Sequence, residues 1–466
     1  MSMSLIEKYN WFLSKSNIER KEYQLQGIKW CVNLETHSDP SLPVHGGFIA
    51  DEMGLGKTIM MISTFIINIV PRTLIVLPNI LLEQWQSEIL RTTGHRPLIY
   101  HGSNKKKISI AVLKSSLIVL TTYSAIAVAK KNPILTPLHE VEWSRVVFDE
   151  AHHLRNKNTR WIGAKLLKSD IRWLISGTPI QNKRKDFYHL CSVLGLPASY
   201  YADKKNIIHL VSHFVLKRTK KQVGISLPSL DFGSETISWS STSERKLALD
   251  IHNAIPSAGP SLKLKLMLHA RQTCVLPSLL KDNIANMVSS NIINQTTASS
   301  AILSSSKLDA VIHTILLRKD NGNGKLVFCH FRGEIDSIVQ RLRDGGISSI
   351  CAFDGRISQT SRFLKLKQQF QVIVLQIQTG CEGLNLQKDF CEVYFVSPHW
   401  NPSIEDQAVA RCHRIGQTKP VSVFRFAMDM FEKNFDSPQL NQYTIDQYIS
   451  TVQNSKRDIS SHMLTV

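Results

Sequence analysis

Two short stretches near opposite ends of the sequence carry residue types whose spacing suits phosphate chemistry. In DEMGLGKT at 51–58, Gly54 and Gly56 permit a tight turn that aims backbone N–H groups at an anion. The apolar run that follows reads as a helix over 58–70, whose N-terminus adds partial positive charge at the same place. Lys57 is placed to reach β- and γ-phosphates and the Thr58 hydroxyl to hold Mg2+, with Asp51, Glu52, Met53 and Leu55 completing the loop. A phosphate loop usually starts with glycine, and Asp51 stands in that position. Taken alone, the stretch is also readable as a glycine-rich turn before a helix.

The second stretch, QAVARCHRIGQ at 407–417, places Gln407, Arg411 and Arg414 at spacings of four and three, which predicts one face of a helix. Two guanidiniums on such a face suit a triphosphate, and a solvated basic face is the competing reading. Between the two stretches lies DEAHHLRN at 149–156, preceded by the apolar run Val146–Phe148. A strand that delivers two carboxylates to its end can hold Mg2+ through Asp149 and activate a water through Glu150. His152 and His153 are adjacent and have no Cys or His cluster nearby, which argues against zinc. Ser176–Gly177–Thr178–Pro179 follows another strand-like run and could sense the γ-phosphate or Glu150, or be an ordinary turn.

These residues need strands to hold them. Apolar runs at 47–50, 73–77, 117–121, 146–148 and 173–176 alternate with helical patterns, and 326–329, 372–375 and 393–396 repeat the rhythm later. Such alternation predicts an α/β protein with parallel sheets covered by helices on both faces. Residues 200–306 are poorer in strand signals and richer in helical ones. The hydroxyl-rich 236–243 and 291–306 read as loops or a hinge. Thr58–Leu77 is apolar enough to imitate a membrane span, but Pro71–Arg72 divides it into helix, turn and strand.

The chain has 466 residues, of which 43% are apolar, enough for two sizeable cores. Its formal charge of +19 points to a polyanionic partner, with nucleic acid as the default. The eight cysteines show no CxxC pair and no metal spacing, as expected of reduced thiols. Glu7, Lys8 and Asn10 break the first apolar groups, so no secretion signal is expected there.

DEMGLGKT, DEAHHLRN, LISGTPIQN at 174–182, GCEGLNLQ at 380–387, HWNP at 399–402 and QAVARCHRIGQTKPV at 407–421 closely resemble, in order and spacing, the Swi/Snf family of helicase-like DNA translocases. Tyr23–Gln24 with Gly27 and Trp30 resembles that family's adenine-reading glutamine motif. FVLKRTK at 214–220 is similar to the segment closing its first lobe, and KLVFCHF at 325–331 with FDGRIS at 353–358 to the opening of its second. Cys381 and Glu382 depart from the small residues the family favours.

The resemblance implies two tandem RecA-like lobes with parallel sheets covered by helices and a mainly helical insertion between them. The expected division is a first ATP-binding lobe over 1–200, the insertion and hinge over 201–306, the second lobe over 307–432, and a brace helix with tail over 433–466. It implies ATP and Mg2+ as the nucleotide and metal, Gln24 and the 51–58 loop as nucleotide contacts, and Arg411 and Arg414, with Gln407 beside them, as the second lobe's contribution to one site. It further implies double-stranded DNA as partner, with nucleosomes or other DNA-bound proteins and targeting partners as candidates, and no membrane. Trp400, Thr379 and Gly380 on the second lobe, with Gln84 and Trp85 on the first, are the DNA contacts it suggests. The compartment it implies is the nucleus, or a viral replication site in a viral form. A strand-separating helicase and an ATP-binding DNA scaffold with weak turnover are the alternatives.

Overall fold

The computed structural model describes residues 3–37, 42, 44–177, 184–356, 365, 368–380, 384–431 and 443–464. Thr178–Lys183, the end of the 353–358 motif and Cys381–Gly383 lie outside the described residues, so the expectations placed on them have no structural counterpart. The chain divides into two compact units, Met1–Ser226 with Asp458–Val466, and Leu227–Arg457.

The first unit is built on seven strands: β1 (His45–Ile49), β2 (Thr73–Leu77), β3 (Leu98–Tyr100), β4 (Ile118–Thr122), β5 (Glu142–Asp149), β6 (Lys168–Ile175) and β7 (Val215–Leu216). They pair in the order β3-β4-β2-β5-β6-β1-β7, every pair parallel. Period-two alternation sorts their apolar side chains. Leu74 and Val76 of β2, with Val146 and Phe148 of β5, enter one core, while Ile75, Leu77 and Val147 enter the core on the opposite face. Helix Lys57–Ile67 and strand Thr73–Leu77 replace the apparent membrane span as expected.

The second unit contains β8 (Leu230–Ile237), β9 (Gly324–Cys329), β10 (Ile350–Phe353), β11 (Val372–Gln376), β12 (Phe390–Phe395) and β13 (Val421–Met428), again all parallel, in the order β10-β11-β9-β12-β13-β8. Val327, Val374 and Tyr394 face one core, and Leu326, Ile373 and Val393 the other. Two all-parallel sheets buried on both faces are the tandem RecA-like arrangement expected from the sequence.

The hydroxyl-rich segments expected as loops or a hinge are corrected in part: 238–241, 291–294 and 302–305 are irregular, and the rest is strand or helix. Thr236 and Ile237 complete β8, and Ser241 caps helix Thr242–Ala254 by accepting from the Glu244 N–H at 3.3 Å. Asn294 caps helix Gln295–Ala301 through the N–H groups of Thr296 and Thr297, and Ser306 opens helix Ser306–Leu317. Ser, Thr and Asn serve caps as readily as turns, and composition alone does not separate the two uses.

Helices Thr242–Ala254, Pro260–Val275 and Gln295–Ala301 form a third core in the second unit, to which Met428 of β13 and Ile445 and Ile449 of the C-terminal helix (Ile445–Leu464) belong. Lys307, fully buried, donates to Ser397 Oγ at 2.8 Å and pairs with Asp446, whose Oδ2 also accepts from the Met428 N–H. His252 Nε2 accepts from the Ile445 N–H at 2.9 Å. Burial holds its pKa down at about 4, so the ring is neutral and able to accept.

In the first unit, Glu35 and Arg145 form a buried ion pair beneath the sheet. Arg145 Nε donates to Glu35 Oε1 at 2.6 Å, Trp173 Nε1 to the same oxygen at 2.8 Å, and Asn68 Nδ2 to Oε2 at 2.7 Å. Arg145 also reaches Thr73 Oγ1 and the Asn68 carbonyl, and its guanidinium lies 4.9 Å from the Phe65 ring centroid. Glu35→Ala would leave that guanidinium buried without a counter-ion. The expected loss is about 3–5 kcal/mol of first-unit stability, read as a lower denaturant midpoint at unchanged slope. A loss below about 1 kcal/mol, the range of an exposed pair, would mean that the network does not organise this core. Among the described residues all seven cysteines are free and buried.

Candidate active site

Strand β1 runs into the loop 51–56 and then helix Lys57–Ile67, the strand, turn and helix order a phosphate loop requires. Gly54 and Gly56 both adopt positive φ, +92° and +79°, where an L side chain is strained. A Cβ at Gly56 would also lie 2.5 Å from Gln24 Nε2. Gln24 itself is buried, donates to the Leu55 carbonyl at 3.2 Å, and leaves its Oε1 buried without a partner. An orphaned acceptor beside the loop fits an amine donor such as that of adenine. Gly27, one turn later in helix Glu22–Thr36, brings this helix close, since a Cβ there would meet Met60 Sδ at 2.3 Å.

Asp51, the departure from the usual loop pattern, has a structural role. Its Oδ1 accepts from Arg218 N at 2.9 Å and Nε at 3.1 Å, and its Oδ2 pairs with Arg218 Nη2 at 2.5 Å. Beside it the Glu52 N–H donates to the Arg218 carbonyl, and Glu52 Oε1 lies 3.0 Å from Lys220 Nζ. The loop is thus fastened to the segment following β7, and Arg218 is a residue that sequence reasoning did not single out. Lys57 Nζ donates to the Asp51 carbonyl at 2.8 Å, folded over the loop it is to serve.

The register of the sheet brings the other candidates to the same edge. Ile49 of β1 is opposite Ile175 of β6, and Ile175 is opposite Asp149 of β5. The phosphate loop, Ser176 and the acidic pair therefore leave neighbouring strand ends. Ser176 donates its N–H to the Ile49 carbonyl at 3.1 Å, and a Cβ at Gly177 would be 3.5 Å from Lys57 Nζ.

Asp149 is buried, with Oδ2 accepting from Trp85 Nε1 at 2.7 Å and Oδ1 from the Glu150 N–H at 3.0 Å. Burial first, and the charge of Glu150 second, push its pKa up to about 7. Glu150 adopts the left-handed conformation, φ 50° and ψ 50°, which costs a non-glycine residue about 1–2 kcal/mol. Glu150 Oε2 lies 3.2 Å from His152 Nδ1. His152 and His153 stack at 4.8 Å, and burial, with the His152 charge second, lowers the His153 pKa to about 4. Among the described residues no three His, Cys, Asp or Glu side chains gather as a metal cluster. Mg2+ needs no such cluster, since one carboxylate and one hydroxyl suffice when phosphates and water complete the shell.

In the second unit the helix carrying Gln407 is Pro402–Val409, so Arg411 and Arg414 lie beyond its end, a correction to the single face expected. The helix closes on tighter bonds, the Arg411 N–H donating to the Ala408 carbonyl at 3.1 Å and the Cys412 N–H to the Val409 carbonyl at 3.0 Å. Beyond it the Arg411 carbonyl accepts from the Leu386 N–H at 3.2 Å, and Gln417 Nε2 donates to the Cys412 carbonyl at 3.3 Å, which fixes the turn that carries both arginines. The two arginines are still neighbours, since the Arg411 charge adds to burial in lowering the Arg414 pKa. Arg414 Nη1 donates to Asn385 Oδ1, and among the described residues neither arginine has a carboxylate in an ion pair. Arg411 Nε and Gln407 Nε2 are buried without hydrogen-bond partners.

Residues 23–246 match the family model for the SNF2-related domain and residues 306–416 that for the helicase conserved C-terminal domain. The chain belongs to the Swi/Snf family. Among relatives, it is 28% identical over 471 residues to the ATP-dependent DNA helicase DDM1 of Arabidopsis thaliana, covering 87% of this chain and 58% of that protein. It is 28% identical over 474 residues to a probable global transactivator of Orgyia pseudotsugata multicapsid polyhedrosis virus, covering 93% of this chain and 89% of that one. The chain spans 58, 60 and 42% of the first three curated relatives it matches. The crystal structure of the Pyrococcus furiosus Hef helicase domain shares the fold, with a TM-score of 0.55 at 15% identity, covering 88% of this chain and 95% of that one.

The residues that the Swi/Snf resemblance suggested as DNA contacts are placed unevenly. Trp85 is 1% exposed and bonded to Asp149, so burial removes it as a surface contact. Gln84, beside it, is half-buried with its Oε1 unpartnered. Thr379 and Gly380 end the short helix Ile377–Gly380 at the close of β11. Trp400 is half-buried, with its ring edge-on to Tyr448 at 6.1 Å and its carbonyl accepting from Lys456 Nζ at 2.7 Å.

Proposed function

We propose that this Swi/Snf chain hydrolyses ATP to move along duplex DNA and remodel protein–DNA complexes. The observation that carries the reading is the convergence of the phosphate loop, Ser176 and the Asp149–Glu150 pair at one edge of the first sheet. The orphaned Oε1 of Gln24 and the glycine-only turn at Gly56 fit a nucleotide. Loop N–H groups and Lys57 bind the phosphates, and Thr58 and Asp149 hold Mg2+. Bound Mg2+ supplies neutralising charge to the transferring phosphoryl group. Glu150 accepts the proton of the attacking water, and Arg411 and Arg414, in the role the family resemblance implies, meet the charge that develops as the bond breaks.

A nucleic-acid track is supported by the net charge of +19, and DNA in particular by the relative in Arabidopsis thaliana, an ATP-dependent DNA helicase. The test is ATP turnover by the purified chain with single-stranded DNA, duplex DNA, RNA and nucleosomes, combined with displacement of a triplex-forming strand. Duplex-stimulated turnover with triplex displacement and no unwinding is expected. Efficient opening of a forked duplex would assign a strand-separating helicase instead, and ATP binding without stimulated turnover a scaffold.

A further inference from the structure

Trp85 belongs to helix Leu82–Thr93, and its indole is almost completely buried. A buried indole N–H needs an acceptor, and here the acceptor is a carboxylate oxygen of Asp149, 2.7 Å away. The other oxygen of the same carboxylate takes the N–H of Glu150 at 3.0 Å. That second bond holds the main chain of Glu150 in its left-handed conformation. Tyr123, just after β4, clamps the same point from the main chain, its hydroxyl donating to the Asp149 carbonyl at 2.6 Å. Two aromatic side chains from two separate elements thus fix both ends of the residue that closes β5.

We propose that Trp85, assisted by Tyr123, is a positioning residue for the acidic pair: it orients the Asp149 carboxylate toward the metal and, through the Asp149 to Glu150 bond, fixes the backbone that aims Glu150. The proposal rests on the ATP-hydrolysing reading above. It also supplies a physical connection from the helix bearing Gln84, one residue from Trp85, to the carboxylates. Both aromatics bond Asp149, and both act through it.

The test is Trp85→Phe, which keeps an apolar ring in the cavity and deletes the N–H. Mn2+ binding to the ADP complex, followed by the electron paramagnetic resonance signal of the free ion, should weaken about tenfold, while binding of a fluorescent ADP analogue without metal stays at the wild-type level. Duplex-stimulated kcat should fall at least tenfold with KM for ATP nearly unchanged, and the Mg2+ concentration for half-maximal turnover should rise. Wild-type Mn2+ affinity and kcat in a variant that only melts earlier would overturn the proposal and leave Trp85 a packing residue. Should Trp85→Phe not fold, Tyr123→Phe takes its place, with a smaller change in the same direction expected and wild-type metal binding as the overturning result. If the wild-type chain itself neither hydrolyses ATP nor binds Mn2+ with ADP, the failure belongs to the function proposed above.

Discussion

Glu150→Gln is expected to lower duplex-stimulated ATP turnover by about 10²–10⁴-fold while ATP and duplex binding persist. The amide keeps the shape of the side chain and loses the basic oxygens. The phosphate loop does not depend on Glu150, because its anchors are Arg218, Lys220 and the glycine turns. Metal binding should not suffer either, since the Glu150 charge is one of the two causes that push the Asp149 carboxyl toward its neutral form. Removing that charge relieves Asp149. Phosphate release measured with and without duplex, beside equilibrium binding of a fluorescent ATP analogue, reads both halves of the expectation. Turnover near the parent rate would falsify the assignment of Glu150 as base.

Arg414→Ala is expected to remove turnover by about 10³–10⁵-fold, the range of an arginine that meets charge developing on a phosphoryl group. Within the second unit Arg414 donates to Asn385 and has no carboxylate in an ion pair among the described residues. Burial first, and the neighbouring Arg411 charge second, lower its pKa, so an incoming anion is favoured there. A surface arginine kept for the fold would be paired. The variant should therefore melt close to the wild-type temperature and retain nucleotide-free binding to duplex DNA. Wild-type turnover would take Arg414 out of the site, and a collapse of stability would make it structural.

The sequence made the strand ends legible because their apolar runs are short and punctuated. Thr73–Leu77 is bounded as expected, and the acidic pair lies at the end of β5. The length of β5 was hidden. It begins at Glu142, and its interior includes Arg145, a charge that looks external until Glu35 pairs with it from 110 residues away. The role of Asp51 was hidden in the same way, since its partner Arg218 is 167 residues distant. Helix periodicity carried Gln407, Arg411 and Arg414 onto one face, whereas the helix ends at Val409 and the turn after it is held by Leu386 and Gln417. Local pattern reports what neighbours in sequence can do, and the roles of Arg145 and Asp51 are decided by a counter-ion supplied from elsewhere. Trp85 shows the same limit, as motif position suggested a surface role and burial assigned it to Asp149.

The third core of the second unit has a consequence for synthesis. Helices Thr242–Ala254, Pro260–Val275 and Gln295–Ala301 share it with Ile445 and Ile449, and the Lys307 to Asp446 pair closes it across 139 residues. On a ribosome, those helices emerge long before the segment that seals them. Until it arrives, Leu247, Ile251 and Leu266 lack part of their apolar shelter, and the Lys307 ammonium has no counter-ion. The nascent chain must therefore carry an unfinished middle while the second sheet is still being made, until residues 444–449 arrive to complete this core.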